Sequence, residues 1–170
     1  MDLRLRETSA ADLDFVLAAE ADPDASPFVI HWSRARHEHA LTDPDYAHLL
    51  VTDAADPLGF VLLAGLTSEH HSIELRRIIV TRTGQQLGRR ALSLVLDHAF
   101  GTLAAHRVWL DVKVHNQRAR RAYAAVGFID EGVLRDALLT NGAYESLAVM
   151  SILDHEWTSR KQPRSMSTAG

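Results

Sequence analysis

The feature that most constrains the fold is a strand, a helix and a second strand that follow one another between residues 72 and 116. Apolar residues alternate in 72–80 (SIELRRIIV), form a helical stripe in 87–100 and alternate again in 106–116 (HRVWLDVKVHN). Two strands joined by a helical crossover lie parallel in one sheet, because a short turn can connect only antiparallel strands. The sequence therefore predicts at least one parallel strand pair.

The strands on either side of this unit are predicted to pair antiparallel. Residues 2–7 alternate as a first strand, and a turn-rich stretch joins two further strands at 46–53 and 57–68. In 133–153, two strands flank Asn141-Gly142, which is the strongest short signal for a hairpin. We therefore predict a mixed sheet in which most pairs are antiparallel.

Helices account for the stretches between the strands. Residues 8–23 are predicted to form a helix that Thr8 or Ser9 can cap, and residues 31–43 a second helix, although its apolar stripe is thin. A further helix begins after Asn116, which can cap it, and ends at Gly127. The alternation of strands and helices predicts an α/β fold with helices on both faces of the sheet.

The length of the chain indicates a single domain. Its 170 residues, 46% of them hydrophobic, are enough to bury one core. We assign this domain to residues 1–157. The segment 158–170 has almost no apolar residues, and we expect it to be a disordered tail.

The first strand of the parallel pair contains an irregularity. Ile73 and Leu75 share one face, and strict alternation would turn Ile78 and Val80 to the other face. One extra residue at Arg76–Arg77 would restore them to the first face, which predicts a β-bulge at this position. The alternative is an unbroken strand that is covered on both faces.

Composition argues against several classes of function. The formal net charge of -4 argues against a general nucleic-acid binder, which needs a basic surface. There are no cysteines, which excludes disulfides, thiolate metal ligands and a cysteine nucleophile. The histidines form no metal-binding motif, because His37 and His39 diverge on a helix and His70–His71 lies in a predicted loop. We expect neither a metal nor a nucleic-acid partner.

The hydrophobic pattern also bears on location. No apolar run reaches the roughly 18 residues of a membrane span. The first residues lack the apolar segment of a signal peptide. We therefore expect no membrane association and a cytoplasmic location.

A glycine-containing turn, GQQLG at 84–88, lies between the first parallel strand and the helix. Gly84 and Gly88 let the backbone approach a bound group closely, and a helix N-terminus offers unpaired N–H groups to an anion. These features allow a phosphate site, but for this segment taken alone a plain turn that uses glycine for chain geometry is the favoured interpretation. Two glycines four positions apart match neither the dinucleotide fingerprint nor the phosphate-loop signature.

A second pattern, HNQRARRAYAAVGF at 115–128, follows the second parallel strand. With this pattern and the preceding turn, the chain resembles the GNAT superfamily of acetyl-CoA-dependent N-acyltransferases. The resemblance covers nearly all of 1–157 and is densest in 73–92 and 106–128. It is greatest for branches that act on the N-terminal amines of ribosomal proteins, on polyamines or on other small amines. It implies the GNAT fold, in which the parallel pair is splayed at the centre of the sheet.

The resemblance also implies an acetyl-CoA site. In the family, the pantetheine arm lies in the splayed gap. The resemblance therefore implies that the backbone of Ile78, Ile79 and Val80 and the side-chain amide of Asn116 bind this arm. Simple helix capping is the alternative role for Asn116. The pyrophosphate is assigned to the backbone donors of the turn, which belong to Gln85, Gln86, Leu87, Gly88 and Arg89. The Arg89 side chain could also pair with a phosphate, and its alternative is exposure to solvent.

The turn departs from the family pattern at two of its three defining positions. Thr83 stands where the family has Gln or Arg, and Gln86 stands where it has the middle glycine, while Gly88 matches the last small residue. Gln86 can crowd a phosphate or donate a hydrogen bond to it. These departures favour the alternative function, which is a non-catalytic acyl-CoA-binding module.

Acyl transfer to an amine requires a proton acceptor, oxyanion donors and an acid near the sulfur. Tyr123 matches the family's tyrosine that protonates the leaving thiolate, and its alternative role is core packing. Glu74 is the best candidate base, because partial burial would raise its pKa. Its alternative role is an ion pair with Arg76 or Arg77. Glu145 and a water path are the other candidates for the base.

The acceptor is expected to be an amine, either a small molecule or a peptide N-terminus. It would be selected by segments around 21–40, 66–72 and 132–145, none of which carries a decisive motif. Acetyl-CoA is the only cosubstrate that the resemblance implies. A homodimer is compatible with the sequence.

Overall fold

The computed structural model describes residues 2–54, 56–82, 84 and 86–162. In these residues, seven strands form one sheet with the order β1-β2-β3-β4-β5-β7-β6. The strands are β1 (Leu3–Glu7), β2 (Tyr46–Asp53), β3 (Asp56–Ala64), β4 (Ser72–Val80), β5 (Arg107–Lys113), β6 (Ile129–Thr140) and β7 (Ala143–Leu153). The α-helices are α1 (Leu13–Glu20), α2 (Arg34–Thr42), α3 (Leu87–Asp97), α4 (Gln117–Val126) and α5 (Asp154–Lys161).

The central pair, β4 and β5, is parallel, and the other neighbouring strands described here pair antiparallel. Its pairing covers only Ser72 to Glu74 on β4 and Arg107 to Trp109 on β5. Beyond these residues both strands continue without pairing to each other, which leaves a gap in the middle of the sheet. The predicted mixed sheet with a splayed parallel pair is confirmed.

The predicted β-bulge is present in β4. Leu62 of β3 pairs with Arg77, and the next residue, Leu63, pairs with Leu75, so Arg76 is the extra residue. The alternative of an unbroken strand is therefore excluded.

Helices cover both faces of the sheet, as predicted. The larger core lies on the side of α3, α4 and α5, and there Ile73, Leu75, Ile78 and Val80 of β4 pack together. The opposite face packs against α1 through a smaller cluster that includes Ile79. The bulge thus returns the apolar side chains of β4 to the face predicted for them.

The hairpin between β6 and β7 turns at Asn141 and Gly142, as predicted. Thr140 pairs with Ala143, which leaves a two-residue loop. Both loop residues have positive φ, 51° for Asn141 and 79° for Gly142. Asparagine and glycine are the residues that adopt this conformation most readily, which explains the strength of the sequence signal.

The predicted disordered tail is wrong at its start. The helix α5 continues past 157 to Lys161, and Trp157 is buried in the main core. The indole N–H of Trp157 donates to Asp97 Oδ1 at 2.9 Å, and the Lys161 ammonium binds the same carboxylate. One buried ring and its polar partners hold a helix whose composition is otherwise polar. The rest of the predicted tail, 163–170, lies outside the described residues.

Among the described residues, no helix is long and apolar enough to cross a membrane. The cytoplasmic location stays a prediction.

Candidate active site

A pocket of about 780 Å³ lies where β4 and β5 diverge. The unpaired half of β4 and the end of β5 form two of its walls. The N-terminal half of α3, the helix α4, the segment between α1 and α2, and the β6–β7 hairpin also line it. Seven of the predicted site residues line this pocket: Glu74, Ile78, Ile79, Val80, Gly88, Asn116 and Tyr123.

The turn before α3 has the geometry of an open helix N-terminus. Gln86 precedes the helix with φ of 55°, and its side chain is exposed. The N–H groups of Gly88 and Arg89 belong to the first helical turn, where backbone donors have no intrahelical acceptor. A Cβ added at Gly88 would meet no atom within 4 Å, so the space beside it is open. Gln85 and Thr83 lie outside the described residues.

Two residues of the predicted pyrophosphate site have other partners. The Leu87 N–H donates to Gly84 O at 3.0 Å, which corrects the expectation that it is available to a phosphate, and its side chain is buried in the core. The Arg89 guanidinium donates to Ala125 O at 3.3 Å, at the C-terminal end of α4. Its side chain is therefore directed toward a helix end in this structure.

Asn116 and Tyr123 lie on one wall of the pocket because α4 begins directly after β5. Asn116 Oδ1 accepts a hydrogen bond from the Ala119 N–H at 3.1 Å, which caps α4. This cap uses only the oxygen of the side-chain amide. The ring of Tyr123 packs against Phe128 at a centroid distance of 5.7 Å. Burial, with a smaller effect from Asp111, raises the pKa of the Tyr123 phenol to about 12, so the phenol is protonated at neutral pH.

Glu74 forms an ion pair with Arg76. The Arg76 Nη2 and Nε groups donate to Glu74 Oε2 at 2.6 and 3.1 Å. The carboxylate therefore has the alternative role considered from the sequence, with Arg76 rather than Arg77 as its partner. Both hydrogen bonds go to Oε2, and neither uses Oε1.

Glu145 is paired with a buried lysine. Lys113 Nζ lies 2.8 Å from Glu145 Oε2, and the hydrogen bond from Lys113 lowers the pKa of this carboxyl. A lower pKa weakens a carboxylate as a proton acceptor. The structure therefore does not favour Glu145 as the base.

Asp111 is a pocket residue that the sequence prediction missed. It lies on β5 and lines the same pocket as Glu74 and Tyr123. Asp111 is exposed to solvent on one side, but the surrounding protein partly desolvates its carboxyl and raises its pKa, and the positive charge of Arg76 partly opposes this shift. The alternation of β5 indicates that Asp111 points away from the main core. Because the gap beside β5 depends on the splay, the pattern of β5 alone does not indicate a site.

Within 2–54, 56–82, 84 and 86–162, no group of three or more His, Asp or Glu side chains is arranged to hold a metal ion.

Comparison with known proteins identifies the family. A family model described as an acetyltransferase (GNAT) domain matches residues 2–129. The chain belongs to the GNAT acetyltransferase family. This match includes the splayed strands, the turn before α3 and the helix that carries Tyr123.

Two curated relatives indicate the branch. The chain is 32% identical over 115 residues to a spermidine N(1)-acetyltransferase of Vibrio cholerae, a match that covers 66% of each protein. It is 29% identical over 106 residues to a putative ribosomal N-acetyltransferase of Bacillus subtilis, with 58% of each covered. The chain thus spans about two thirds or less of the length of these curated relatives.

Solved structures of the Vibrio cholerae spermidine N-acetyltransferase are similar over nearly their whole length. Its complex with CoA and spermine superimposes with a TM-score of 0.82 at 26% identity and covers 92% of this chain and 98% of that one. A dodecameric form of the same enzyme superimposes with a TM-score of 0.79 at 26% identity and covers 94% and 98%.

Proposed function

We propose that this GNAT protein transfers the acetyl group of acetyl-CoA to a primary amine by direct attack of the amine on the thioester. The observation that carries the proposal is the pocket between β4 and β5, which combines a free strand edge, an open helix N-terminus and the Tyr123 phenol. A neighbour of the same fold was solved with CoA and spermine, which supports this use of the pocket.

The free edge of β4 suits the pantetheine arm. Beyond Glu74, β4 pairs with β3 on one side only. The backbone of Ile78, Ile79 and Val80 can therefore bind amide groups as an added strand would. The Asn116 amide, at the opposite wall, can donate to the same arm.

The first turn of α3 suits the pyrophosphate. The backbone donors of Gly88 and Arg89 and the positive end of the helix dipole attract an anion. Gln85 and Gln86 stay in the proposed site, because a glutamine side chain can donate to a phosphate oxygen.

The effect of Gly88→Glu tests this assignment. With acetyl-CoA at about a hundredfold excess over its dissociation constant, linkage predicts about 2.7 kcal/mol of stabilisation of the wild type. We expect Gly88→Glu to lose this stabilisation, because it adds bulk and negative charge beside the proposed phosphate site. Thermal unfolding with and without acetyl-CoA measures the difference.

Gly101→Glu is the matched control for that experiment. Gly101 also has open space around it and lies just beyond the other end of α3. It should keep the full ligand-dependent shift. If acetyl-CoA raises the melting temperature of Gly88→Glu as much as that of Gly101→Glu, the pyrophosphate does not bind at this helix end.

A non-catalytic acyl-CoA-binding module remains the second candidate, favoured by Thr83 and Gln86 at family-defining positions. Release of free thiol from acetyl-CoA in the presence of amines distinguishes the two functions. We expect amine-dependent release that is catalytic in the protein. Stabilisation by acetyl-CoA without thiol release from any amine would instead identify a binding module.

We propose a small cationic amine as the acceptor in preference to a peptide N-terminus. Asp22, Asp24 and Asp111 line the pocket. Their carboxylates attract ammonium groups. Parallel assays with spermidine, with other small amines and with a peptide that has a free N-terminus test this choice. Faster turnover of the peptide would reverse it.

We further propose that the exposed surface of β6 is covered by a second copy of this chain. This edge strand and its hairpin expose large apolar side chains: Ile129, Val133, Leu134, Leu139 and Tyr144. Exposed apolar patches on an edge strand mark association surfaces. The dodecameric neighbour supports self-association over other partners.

We expect the wild type to elute as an oligomer and Val133→Glu to shift it toward the 18.9 kDa monomer. The introduced carboxylate would be buried without a partner in the interface. Light scattering coupled to size exclusion measures the mass. Arg4→Glu, on the opposite edge strand β1, is the control for added negative charge. A monomeric wild type would disprove self-association.

A further inference from the structure

The segment between α1 and α2, residues 22–32, lies across the pocket. It supplies part of the wall, including Asp22, Phe28, Ile30 and Trp32. Phe28 and Ile30 remain 40% and 54% exposed although both are large and apolar. Ala25, Val29 and Trp32 of this segment, here called the strap, pack against the core, and polar contacts hold it as well.

One end of the strap is fixed to β4 by a buried arginine. Arg77 donates through Nη1 to Glu20 and through Nη2 to the carbonyl of Ile30 in the strap. The other oxygen of Glu20 accepts from the backbone N–H of Trp32 at 3.0 Å. The side chains of Arg77 and Glu20 are 7% and 1% exposed, so water does not compete for these bonds.

Two buried histidines extend this contact away from the pocket. His37 Nε2 lies 3.2 Å from Glu20 Oε1, and His37 Nδ1 lies 3.0 Å from His48 Nε2. His48 Nδ1 in turn lies 3.0 Å from the Thr8 hydroxyl. These contacts orient the Glu20 carboxylate, because they connect it through α2 to β2.

The middle of the strap is fixed to β5 by a buried lysine. Lys113 Nζ donates to the carbonyl of Pro27 at 3.0 Å and pairs with Glu145 of β7 at 2.8 Å. The Lys113 side chain is 7% exposed. The ring of Phe28 lies against that of His115, which follows β5, at a centroid distance of 5.8 Å.

Arg77 and Lys113 lie on the two strands that diverge. Each strand therefore contributes one buried cation, paired with one carboxylate, that donates to a backbone carbonyl of the same strap. We infer that Arg77 and Lys113 are positioning residues that hold the strap across the gap as a fixed wall of the acceptor site. The expected effect on the KM for the amine rests on the proposed acetyl transfer, whereas the fixed position of the strap does not.

Lys113→Met tests the inference. Methionine retains the length of the side chain but cannot donate to Pro27. We expect the KM for the amine to rise about tenfold, as for loss of a hydrogen bond from a charged donor. The KM for acetyl-CoA should not change, because the Lys113 side chain bonds to Pro27 and Glu145 and not to the β4 edge or α3. Lys113→Arg should restore most of the amine KM, since it retains a charged donor.

Hydrogen exchange gives a readout that does not depend on activity. Amides in 24–32 should exchange faster in Lys113→Met than in the wild type, while those of α3 and β1 stay unchanged. Lys161→Met, which also removes a lysine paired with a carboxylate, is the control and should leave the strap amides unchanged. Arg77→Lys offers a second variant, because lysine can pair with Glu20 but lacks the fork that also reaches Ile30.

The outcomes separate this inference from the proposed function. Faster strap exchange together with a raised KM for the amine alone supports the positioning role. Unchanged exchange, or equal changes in both KM values, overturns it. If the wild type turns over no amine, the acetyl-transfer proposal fails, and the exchange experiment still decides whether the two cations hold the strap.

Discussion

Glu74→Gln is expected to lower kcat/KM for the amine by about 10²-fold, at the low end of measured acid–base contributions. Glu74 lines the pocket at the point where β4 and β5 separate, and its Oε2 is bound by Arg76. We propose that the other oxygen, Oε1, accepts the proton of the attacking amine. Glutamine retains the shape of the side chain and can still interact with Arg76 through its carbonyl oxygen, but it cannot accept the proton. Steady-state kinetics over a range of pH measure the effect.

Asp111→Asn is the comparison that identifies the base. Asp111 is a second carboxylate in the pocket, and partial desolvation raises its pKa. We expect its replacement to have a smaller effect than that of Glu74. The reverse order would transfer the role to Asp111, and small effects from both variants would indicate a water path. If Glu74→Gln lowers the free energy of unfolding without affecting the turnover of the folded protein, the ion pair with Arg76 is structural only.

Tyr123→Phe is expected to lower kcat by about 10²-fold. The phenol, with a pKa of about 12, holds its proton at neutral pH and can donate it to the departing thiolate. Phenylalanine keeps the ring and its contact with Phe128. The melting temperature and the stabilisation by acetyl-CoA should therefore change little while kcat falls.

The same variant can contradict the assignment. Equal turnover in Tyr123→Phe would show that the residue only packs in the core and that solvent protonates the sulfur. A parallel loss of kcat and of acetyl-CoA affinity would show instead that the phenol binds the donor. The thermal shift with acetyl-CoA separates these two results.

The sequence predicted those parts of the fold that depend on neighbouring residues. The alternation on either side of Arg76 predicted the bulge, and Asn141-Gly142 predicted the hairpin, because each signal is contained in a few consecutive residues. The helix α5 was missed because it depends on Trp157 binding Asp97, which lies 60 residues earlier. Local composition carries no information about such a partner.

The candidate site shows the same division between local and distant signals. Asn116 and Tyr123 were predicted from family motifs and Glu74 from its apolar neighbours, and all three line one pocket. Asp111 was missed because its environment depends on the separation of two strands. The pair of Glu20 and Arg77 was also missed, because it joins residues 57 positions apart. Single charged residues in a sequence do not indicate which partner will bury them.

The extra residue in β4 changes which side chains of the strand face the main core. Before Arg76, odd-numbered side chains face the main core, and after it even-numbered side chains do so. Deleting Arg76 would close the bulge and leave a regular strand in which Leu75, Ile78 and Val80 still face the main core and Arg77 still faces away from it. Deleting Ile78 instead would leave the bulge in place and turn Val80 toward α1. A deletion at Arg76 is therefore expected to be better tolerated than a deletion beyond it in β4.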